Sequence, residues 1–381
     1  MIEKWIDNDK CTGCMACANV CPKNAIEMQF DKSGFKHPVI SEACIECGLC
    51  EKVCSNRLKD YVSDRCKQEV FAAWSLDENN RYNSTSGGLY SEVAKYILNN
   101  GGYLCGAVYR DDNLVEHFIT NKYEDLPRLR QSKYIQSDIH NSFKDIKELL
   151  DKKQLVAFCG SPCQTAALLA FLGKDYDSLV TIDFICRGMN SPKAYVSWLR
   201  EIEEKEKAKV TNVWFKYKED GWKQSPRCTR LDFSNGSYKV LKLYENLYMS
   251  GYLSSNLYIR PACSDCDFKG IIRNSDITLA DFWGIDESLD DDKGTSLVII
   301  NTEKGRKIFN AIQENLYSEE KNIDDIVAGN VCFKESVKYN PKSKLFLEEL
   351  DIGEFSKILY KYDKKLFLKK MIKTLIRKWS R

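Results

Sequence analysis

The sequence predicts a protein in two parts, a small cysteine-rich α+β module followed by a larger mixed α/β body. Eight of the 17 cysteines lie within the first 60 of the 381 residues, in two runs of identical spacing. Beyond about residue 65, short apolar runs alternate with loops and with stretches of helical periodicity. That alternation is typical of an α/β fold with at least some parallel sheet.

Each cysteine run places three cysteines at steps of three and a fourth cysteine four positions later. The runs are Cys11, Cys14, Cys17 and Cys21, followed by Pro22, and Cys44, Cys47, Cys50 and Cys54, followed by Ser55. This spacing is typical of a ferredoxin-like module with two [4Fe–4S] clusters, in which the fourth cysteine of each run ligates the other cluster. We therefore assign Cys11, Cys14, Cys17 and Cys54 to one cluster and Cys44, Cys47, Cys50 and Cys21 to the other. Structural zinc or disulfides would be the alternative, which the duplicated spacing disfavours.

Composition narrows the class of protein. The N-terminus has no apolar export segment and the chain has no run of 18 apolar residues, so we expect neither secretion nor a transmembrane helix. Many cysteines in a chain that is not exported favour reduced thiols, a cytoplasmic location and, for oxygen-sensitive clusters, an anaerobe. The net charge of +2 divides into +8 on residues 352–381 and −6 on the remainder, which argues against a nucleic-acid-binding body.

The order of the patterns predicts the domain organisation. Residues 1–60 form the dicluster module, with a hairpin of strands 26–30 and 35–40, and residues 56–69 read as a linker. Residues 65–150 and 151–330 form the first and second parts of the body, and residues 352–381 form a basic amphipathic tail. In the body the predicted strands are 70–74, 103–109, 115–120, 155–159, 179–185, 277–280 and 296–301, with helices beginning near 89, 162, 192 and 303, the last capped by Thr302.

Four further cysteines lie in loops that could present them to a ligand. Cys163 and Cys186 each follow a predicted strand, and Cys263 and Cys266 form a Cys-x-x-Cys pair. The remaining five read as packing residues, namely Cys66, Cys105, Cys159, Cys228 and Cys332. The chain has no dinucleotide fingerprint, no Walker loop and only three histidines, which disfavours histidine-based nucleophilic catalysis.

Taken together and in order, these motifs resemble a known family. They are the two cysteine runs, 83–88 (Asn-Ser-Thr-Ser-Gly-Gly), 132–134 (Ser-Lys-Tyr), 160–164 (Gly-Ser-Pro-Cys-Gln), Cys186-x-Gly188, the 263–266 pair and 281–284 (Asp-Phe-Trp-Gly). The chain resembles the coenzyme F-420 hydrogenase/dehydrogenase beta-subunit family, in its bacterial form with a fused N-terminal dicluster [4Fe–4S] ferredoxin domain, to about residue 315.

The resemblance implies an FAD-binding α/β body with a third [4Fe–4S] cluster beside the flavin. By position it implies Cys163, Cys186, Cys263 and Cys266 as cluster ligands. It implies flavin contacts from Ser84, Ser86, Gly87, Gly88, Lys133 and Tyr134. The family usually has histidine where this chain has Arg187. An arginine there would favour a reduced anionic flavin or an acidic substrate group, although it could equally be solvated or ion-paired.

These observations predict an oxidoreductase that passes electrons from ferredoxin-type clusters through a third cluster to FAD and on to an organic acceptor. An external donor such as ferredoxin would supply the electrons, and the acceptor and any catalytic residue are not identified by the sequence. The alternative is a non-catalytic electron-transfer subunit of a larger hydrogenase- or dehydrogenase-type complex. The basic tail either contacts an anionic membrane at the inner face, where it would anchor a partner of a glycan-assembly system, or packs on the body.

Overall fold

The structure is a computed structural model, and it describes residues 9–55, 65–242 and 245–379. The strands are β1 (Ile26–Phe30), β2 (Lys36–Ile40), β3 (Arg65–Ser75), β4 (Tyr103–Tyr109), β5 (Val115–Thr120), β6 (Ser137–Asp138), β7 (Val156–Cys159), β8 (Leu179–Phe184), β9 (Val210–Phe215), β10 (Cys228–Phe233), β11 (Tyr238–Lys242), β12 (Ile277–Asp281), β13 (Ser296–Thr302) and β14 (Leu316–Lys321). The helices are α1 (Ala16–Val20), α2 (Leu49–Lys52), α3 (Glu78–Tyr82), α4 (Leu89–Asn99), α5 (Leu126–Leu129), α6 (Ser142–Asp151), α7 (Pro162–Leu172), α8 (Pro192–Glu206), α9 (Leu247–Ser254), α10 (Glu303–Ile312), α11 (Ile323–Gly329), α12 (Ser343–Glu349), α13 (Phe355–Tyr362) and α14 (Lys364–Trp379).

The N-terminal module is a two-stranded hairpin with a cysteine loop on either side of it. Strands β1 and β2 pair antiparallel, with Ile26 opposite Ile40. Each cysteine loop enters a short helix through a residue with positive φ, Met15 (φ 65°) before α1 and Gly48 (φ 73°) before α2. A left-handed residue turns the chain sharply, so neighbouring cysteines of a run can converge on one point.

A nine-stranded mixed sheet forms the centre of the body, in the order β14-β3-β13-β12-β8-β7-β4-β5-β6. Its inner strands β12, β8, β7 and β4 run parallel to one another, and the strands that flank them on the β14 side pair antiparallel. The mixed α/β body predicted from the sequence is therefore confirmed. Both parts of the body contribute strands to this one sheet, and the carboxyl ends of β7 and β8 lie side by side.

A second, smaller sheet and four helices form another layer of the body. Strands β11, β10 and β9 form a three-stranded antiparallel sheet. Together with α8, α9, α12 and α13 they enclose an aromatic core in which Trp198, Phe215 and Tyr248 contact one another. This layer places Lys216, which follows β9, and Met249 and Tyr252 of α9 beside the carboxyl ends of β7 and β8.

The predicted linker at 56–69 needs correction at its C-terminal end. Residues 56–64 lie outside the described residues, but residues 65–69 belong to β3. Arg65 pairs with Thr302 and Glu69 with Ile300 of β13. This polar start of a strand carries no apolar signal in the sequence, because backbone pairing with β13 is what holds it.

The module is docked on the body through apolar and polar contacts. Phe35, at the hairpin turn, is buried in the aromatic core of the body. The Asn19 amide donates to the carbonyl of His140 at 2.8 Å, and the Ser191 hydroxyl donates to the carbonyl of Ser33 at 2.6 Å. The Lys193 ammonium donates to the carbonyl of Lys32 at 2.8 Å. The Cys11–Cys17 loop is thereby held close to the predicted body ligands, where Lys10 pairs with Asp265.

The C-terminal helix α14 begins docked and then becomes exposed. Leu366 is buried in the aromatic core, whereas Phe367, Leu368, Met371 and Ile372 are 42–56% exposed. Among the described residues, no helix is long and apolar enough to cross a membrane.

Candidate redox site

The module cysteines fall into two spatial groups. Cys11, Cys14, Cys17 and Cys54 surround one small cavity. Cys21, Cys44, Cys47 and Cys50 line another. These are the two sets that the crossed-ligand rule predicts, each with three cysteines from one run and the fourth from the other.

The first module set is buried and close to positive charge. Burial raises the pKa of Cys11, but a hydrogen bond from His37 and the charge of Arg260 outweigh that effect and lower the pKa to about 7. Burial and then the neighbouring thiols of Cys14, Cys11 and Cys54 raise the pKa of Cys17 well above its ordinary value. Four thiolates packed this closely repel one another, so the set needs cationic charge among them to ionise. Iron supplies that charge, and the donor set fits a cluster.

The four candidate cysteines of the body come together although they lie on three separate segments. Cys163 is in the first turn of α7, after β7, and Cys186 follows the end of β8. Cys263 and Cys266 lie in and just after a 3₁₀ turn at Pro261–Asp265. All four line one cavity of about 460 Å³. Because β7 and β8 are parallel neighbours, their carboxyl ends deliver the first two cysteines to the same edge of the sheet.

The electrostatics of the body set resemble those of the module. Burial and then the thiols of Cys266, Cys186 and Cys263 raise the pKa of Cys163. Burial raises the pKa of Cys186 to about 12. The described residues hold no group of three or more His, Cys, Asp or Glu spaced for a single metal ion. A cubane separates its four thiolates more widely than one ion does, and the donor set of four cysteines fits a [4Fe–4S] cluster.

A second, larger cavity of about 550 Å³ lies at the same edge of the sheet. Its volume is within the range of small-molecule and cofactor sites. Two loops form one end and are joined to each other, since the Ser132 amide donates to the Thr85 hydroxyl at 2.9 Å and the Gln131 side chain donates to the Asn83 carbonyl at 3.2 Å. Helix α4 begins there, at Gly88 with φ 93°, so its free N–H groups and dipole favour an anionic group such as a phosphate.

The structure places five of the six predicted flavin residues on this cavity. They are Ser84, Ser86, Gly88, Lys133 and Tyr134. Gly87 is the exception, because a Cβ there would lie 2.5 Å from the Ala73 carbonyl oxygen and 2.8 Å from the Ser296 nitrogen. Its backbone N–H donates to the Ser296 hydroxyl at 2.9 Å. The absence of a side chain at Gly87 therefore serves packing against β3 and β13.

Lys133 lines the cavity without presenting a free ammonium to it. Its Nζ donates to the carbonyls of Arg128 at 2.8 Å and Arg130 at 2.6 Å. Burial lowers the pKa of Lys133 to about 7. The side chain shapes the 128–134 loop, which leaves other groups to receive negative charge in the cavity.

Those other groups were not identified from the sequence. Arg130 lines the cavity beside Ser132, and its Nε is buried without a hydrogen-bond partner. Lys216, which adopts φ 55°, forms a buried ion pair with Asp281, whose second oxygen has no partner. Asp281 belongs to the Asp-Phe-Trp-Gly motif, whose spacing alone assigns it no role. Arg130 carries no motif, and only the folded loop brings it to the cavity.

The two cavities share a wall made by the chain just after β8. Cys186, Arg187, Gly188 and Met189 line both of them. Arg187 lies over the ring of Tyr252 at 5.0 Å, and its Nη1 is buried without a partner. The cysteine cavity and the large cavity are therefore separated by one short segment.

Of the five cysteines predicted to serve packing, Cys105 and Cys228 are buried. Cys159 and Cys332 are partly exposed and line the large cavity. The side chain of Cys66 lies outside the described residues.

Comparison with known families agrees with this geometry. Residues 153–326 match the model for the C terminus of the coenzyme F420 hydrogenase/dehydrogenase beta subunit, and residues 10–57 match the 4Fe-4S dicluster domain. Over residues 153–326 the chain is similar to this family. The resemblance drawn from the motifs is confirmed, and the dicluster domain makes this an iron–sulfur electron-transfer protein.

The similar proteins include two from Methanocaldococcus jannaschii. An uncharacterized protein is 24% identical over 360 residues, covering 84% of this chain and 92% of its own length. A coenzyme F420-dependent sulfite reductase is 24% identical over 334 residues, and the match covers 85% of this chain but only 49% of the reductase. A solved structure, a xenon derivative of the F420-reducing [NiFe] hydrogenase complex from Methanosarcina barkeri, matches with 18% identity and a TM-score of 0.45, covering 78% of this chain and 92% of that chain.

Proposed function

We propose that this protein is an iron–sulfur flavoprotein oxidoreductase that exchanges electrons between a protein donor and an organic acceptor. The observation that carries the proposal is the shared wall: Cys186 and Arg187 line both the four-cysteine cavity and the large cavity. This shared wall would place a cluster, which carries single electrons, close enough to an organic redox group for electron transfer between them.

The cysteines would hold three [4Fe–4S] clusters. Cys11, Cys14, Cys17 and Cys54 would hold one, Cys21, Cys44, Cys47 and Cys50 a second, and Cys163, Cys186, Cys263 and Cys266 a third. In support, each set encloses its own cavity, and burial together with neighbouring thiols raises the pKa of Cys17 in one set and of Cys163 in another, an effect that the positive charge of iron would offset.

The large cavity would hold FAD. The loop residues Thr85, Ser86 and Gly88, the start of α4 and Arg130 would receive the pyrophosphate, because they line the cavity and Arg130 brings a positive charge whose Nε has no hydrogen-bond partner. Arg187 would stand at the end nearest the body cysteines. When bound, clusters carry single electrons and a flavin exchanges pairs, which is what reduction of an organic molecule requires.

The sulfite reductase relative is named for coenzyme F420, which makes F420 a candidate organic partner here. The buried pair of Lys216 and Asp281 lies in the same cavity, and Lys216 also interacts with Tyr134. These groups can donate hydrogen bonds to an organic molecule and hold a proton beside it. Binding of F420 to the holoprotein, measured by titration of its absorbance, tests this part of the proposal.

Anaerobic purification with cofactor analysis tests the proposal as a whole. We expect about twelve irons per chain, from three cubanes, together with one FAD released by acid. Cys266→Ser should remove about four irons and leave the module clusters in place. About eight irons in the wild-type protein would contradict the third cluster, and a fully iron-loaded protein that takes up no flavin would contradict the flavin site.

One observation favours the alternative of a subunit within a larger complex. Ile271 and Ile272 are about half exposed, and so is Val331, which lies at the large cavity. They are neighbours, because the Gly270 amide donates to the Phe333 carbonyl at 2.6 Å. An apolar patch beside a redox cavity would suit a partner subunit. Reduction of an organic acceptor by the isolated chain would rule out an obligatory partner.

The tail suggests contact with an anionic membrane. Helix α14 carries Lys364, Lys365, Lys369 and Lys370 together with exposed Phe367, Leu368, Met371 and Ile372. Apolar side chains beside a row of lysines suit insertion at a lipid headgroup region. The alternative in which the tail packs on the body is supported by the buried side chain of Leu366 and by the contacts of Phe367 and Lys370 with the ring of Tyr360 in α13.

A further inference from the structure

Arg260 stands between the module and the body with its side chain buried to 1% exposure. Its Nε donates to the carbonyl of Cys11 at 2.6 Å, and its Nη2 donates to the carbonyl of Lys36 at 2.8 Å. Its Nη1 donates to the side-chain oxygen of Gln136 at 2.7 Å, and the Gln136 amide donates to the carbonyl of Gly13 at 3.1 Å. The guanidinium is therefore fixed to the Cys11–Cys17 loop directly through Nε and indirectly through Gln136, and to strand β2 through Nη2.

The backbone of the same residue holds the body cysteines. The Cys263 amide donates to the Arg260 carbonyl at 3.0 Å. A continuous path of covalent bonds and hydrogen bonds thus runs from Cys263 through Arg260 to Cys11. A second link lies beside it, where the Lys10 ammonium pairs with the Asp265 carboxylate. Lys10 and Thr12, which flank Cys11, also line the cavity of the body cysteines.

The Arg260 side chain lies very close to the backbone of Gly13. A Cβ on Gly13 would lie 2.8 Å from Arg260 Nη1 and 2.2 Å from the Gln136 side-chain nitrogen. The loop needs glycine at this point because the guanidinium occupies the space, and Gly13 also has φ 67°.

The other module set lies on a different side. Its cavity is lined only by residues between Cys21 and Glu51, with none from the body. In this set Cys47 is exposed, and Cys21, Cys44 and Cys50 are partly exposed. The four cysteines of the Cys11 set are at most 8% exposed. The two module sets thus differ both in their neighbours and in their access to solvent.

We propose that Arg260 is a positioning residue that couples the Cys11 set to the body set. Each cysteine set, with the cluster it would hold, is one station on the path of the electrons. The Cys11 set is the inner station, next to the body station, and the Cys44 set is the outer station, which meets a protein donor. This inference rests on the proposed function. One electron leaves the inner station and one is gained at the body station, with no proton transferred. A reduced protein donor of the ferredoxin class supplies the electron, and the organic acceptor removes it.

The chemistry of the guanidinium suits this role. Each added electron makes a thiolate-ligated site more negative, and the permanent charge of Arg260, which acts on the thiols of both Cys11 and Cys263, stabilises the reduced form of each site. The fork also fixes the separation of the two segments, because three donors meet three separate acceptors. Removing it should therefore change both the reduction potentials and the rate of transfer between the stations.

The test compares Arg260→Gln with Arg260→Lys and with Lys193→Gln, in full-length anaerobic protein with measured iron content. Lys193 is a matched control because it also joins module to body, through Lys32 in the hairpin turn, away from the cysteine loops. The readouts are the midpoint potential of each station from EPR-monitored titration, the magnetic coupling between stations, and the rate at which flash-generated reductant reaches the body station.

We expect Arg260→Gln to lower the potentials of the inner and body stations and to slow transfer by about tenfold or more, with Lys193→Gln within about twofold of wild type, because small misplacements have large kinetic costs. Arg260→Lys should restore much of the potential and little of the rate, since it keeps the charge and loses the fork. If Arg260→Gln keeps its iron and has wild-type potentials and a wild-type transfer rate, the proposed coupling is wrong. If Arg260→Gln loses iron, Arg260→Lys decides, and a wild-type transfer rate in that variant would overturn the coupling.

The order of the stations has its own test. Cys47→Ser should abolish reduction by a ferredoxin and leave the magnetic coupling of the other two stations intact, whereas Cys14→Ser should abolish that coupling. Coupling that survives in Cys14→Ser but is lost in Cys47→Ser would reverse the order. A wild-type protein with no body cluster would instead contradict the proposed function.

Discussion

The module and the body reach their folded states by different means. The buried cluster formed within the module consists of Cys11, Cys17 and Cys54 with Ile26, so most of its members are predicted cluster ligands, whereas other buried module residues such as Met15 and Val53 pack against the body. The body encloses large apolar clusters on both faces of a nine-stranded sheet. A domain of about fifty residues buries too little apolar surface to be stable alone. The comparison indicates that metal stabilises the module, whereas apolar burial stabilises the body.

Removal of iron should therefore separate the two regions most clearly. After anaerobic chelation we expect the amides of residues 9–55 to lose most of their protection from hydrogen exchange, while the inner strands β7, β8 and β12 keep theirs. Hydrogen-exchange mass spectrometry measures both in one sample, and restored protection after iron reconstitution is the control. Equal loss in both regions, or none in the module, would refute the contrast.

A buried ion pair sharpens the comparison within the body. Arg273 and Asp183 are 2% and 0% exposed, and their side chains meet at 2.9 Å. Arg273→Met should destabilise the body by about 3–5 kcal/mol, because it leaves a carboxylate buried without its cation. Chemical denaturation of the holoprotein measures the change.

The double variant Arg273→Met/Asp183→Asn should recover part of that loss, since the uncompensated charge is gone. Arg128→Gln, at a partly exposed pair with Asp125, is the control and should cost about 1 kcal/mol or less. A similar cost for the buried and the exposed variants would show that burial of Arg273 does not matter.

The cavity of the body offers a smaller and more local effect. Arg130→Gln should weaken FAD binding by about tenfold, or about 1.4 kcal/mol, because the cavity loses a positive charge whose Nε has no other partner. Fluorescence titration of deflavinated protein measures it. Arg128→Gln, two positions away and outside the cavity lining, should bind FAD as wild type does, and equal weakening in both variants would contradict a specific role for Arg130.

Removal of the tail should have the smallest effect on either region. A chain that ends at Asp363 keeps α13 and loses α14, and we expect its cofactors to be unchanged. Full-length protein should co-sediment with vesicles that contain anionic lipid and be released by salt, and the truncated protein should not. Equal sedimentation of the two proteins would support a tail that packs on the body.

The sequence predicted most accurately what local spacing determines. The cysteine runs predicted two crossed sets, and the structure groups the same residues around separate cavities. Strands 103–109 and 115–120 were predicted with the bounds that the structure has, because their apolar residues mark buried positions. The cap by Thr302 was also predicted, and its hydroxyl accepts from the Gly305 amide at 3.0 Å.

Contacts between distant segments could not be predicted in this way. Arg260 donates to the carbonyl of Cys11, which is 249 positions away, and no motif near Arg260 in the sequence predicts that contact. Gly87 was predicted to face a phosphate, but a glycine is required wherever backbone approaches closely, and here the neighbours are β3 and β13. The start of β3 at Arg65 was missed because its pairing depends on a backbone partner more than two hundred positions later.

The place of β3 in the sheet also bears on the order in which the chain can assemble. Its two neighbours are β13 and β14, which are the last strands to be synthesised. A nascent chain therefore presents the finished N-terminal module, then β4 to β8, while β3 still has no strand to pair with. During that interval the module is tethered to an unpaired segment and its cysteines are accessible to iron-delivering proteins. Closing β3 between β13 and β14 is then a late step of assembly, which leaves time for metal to enter the module before the body is complete.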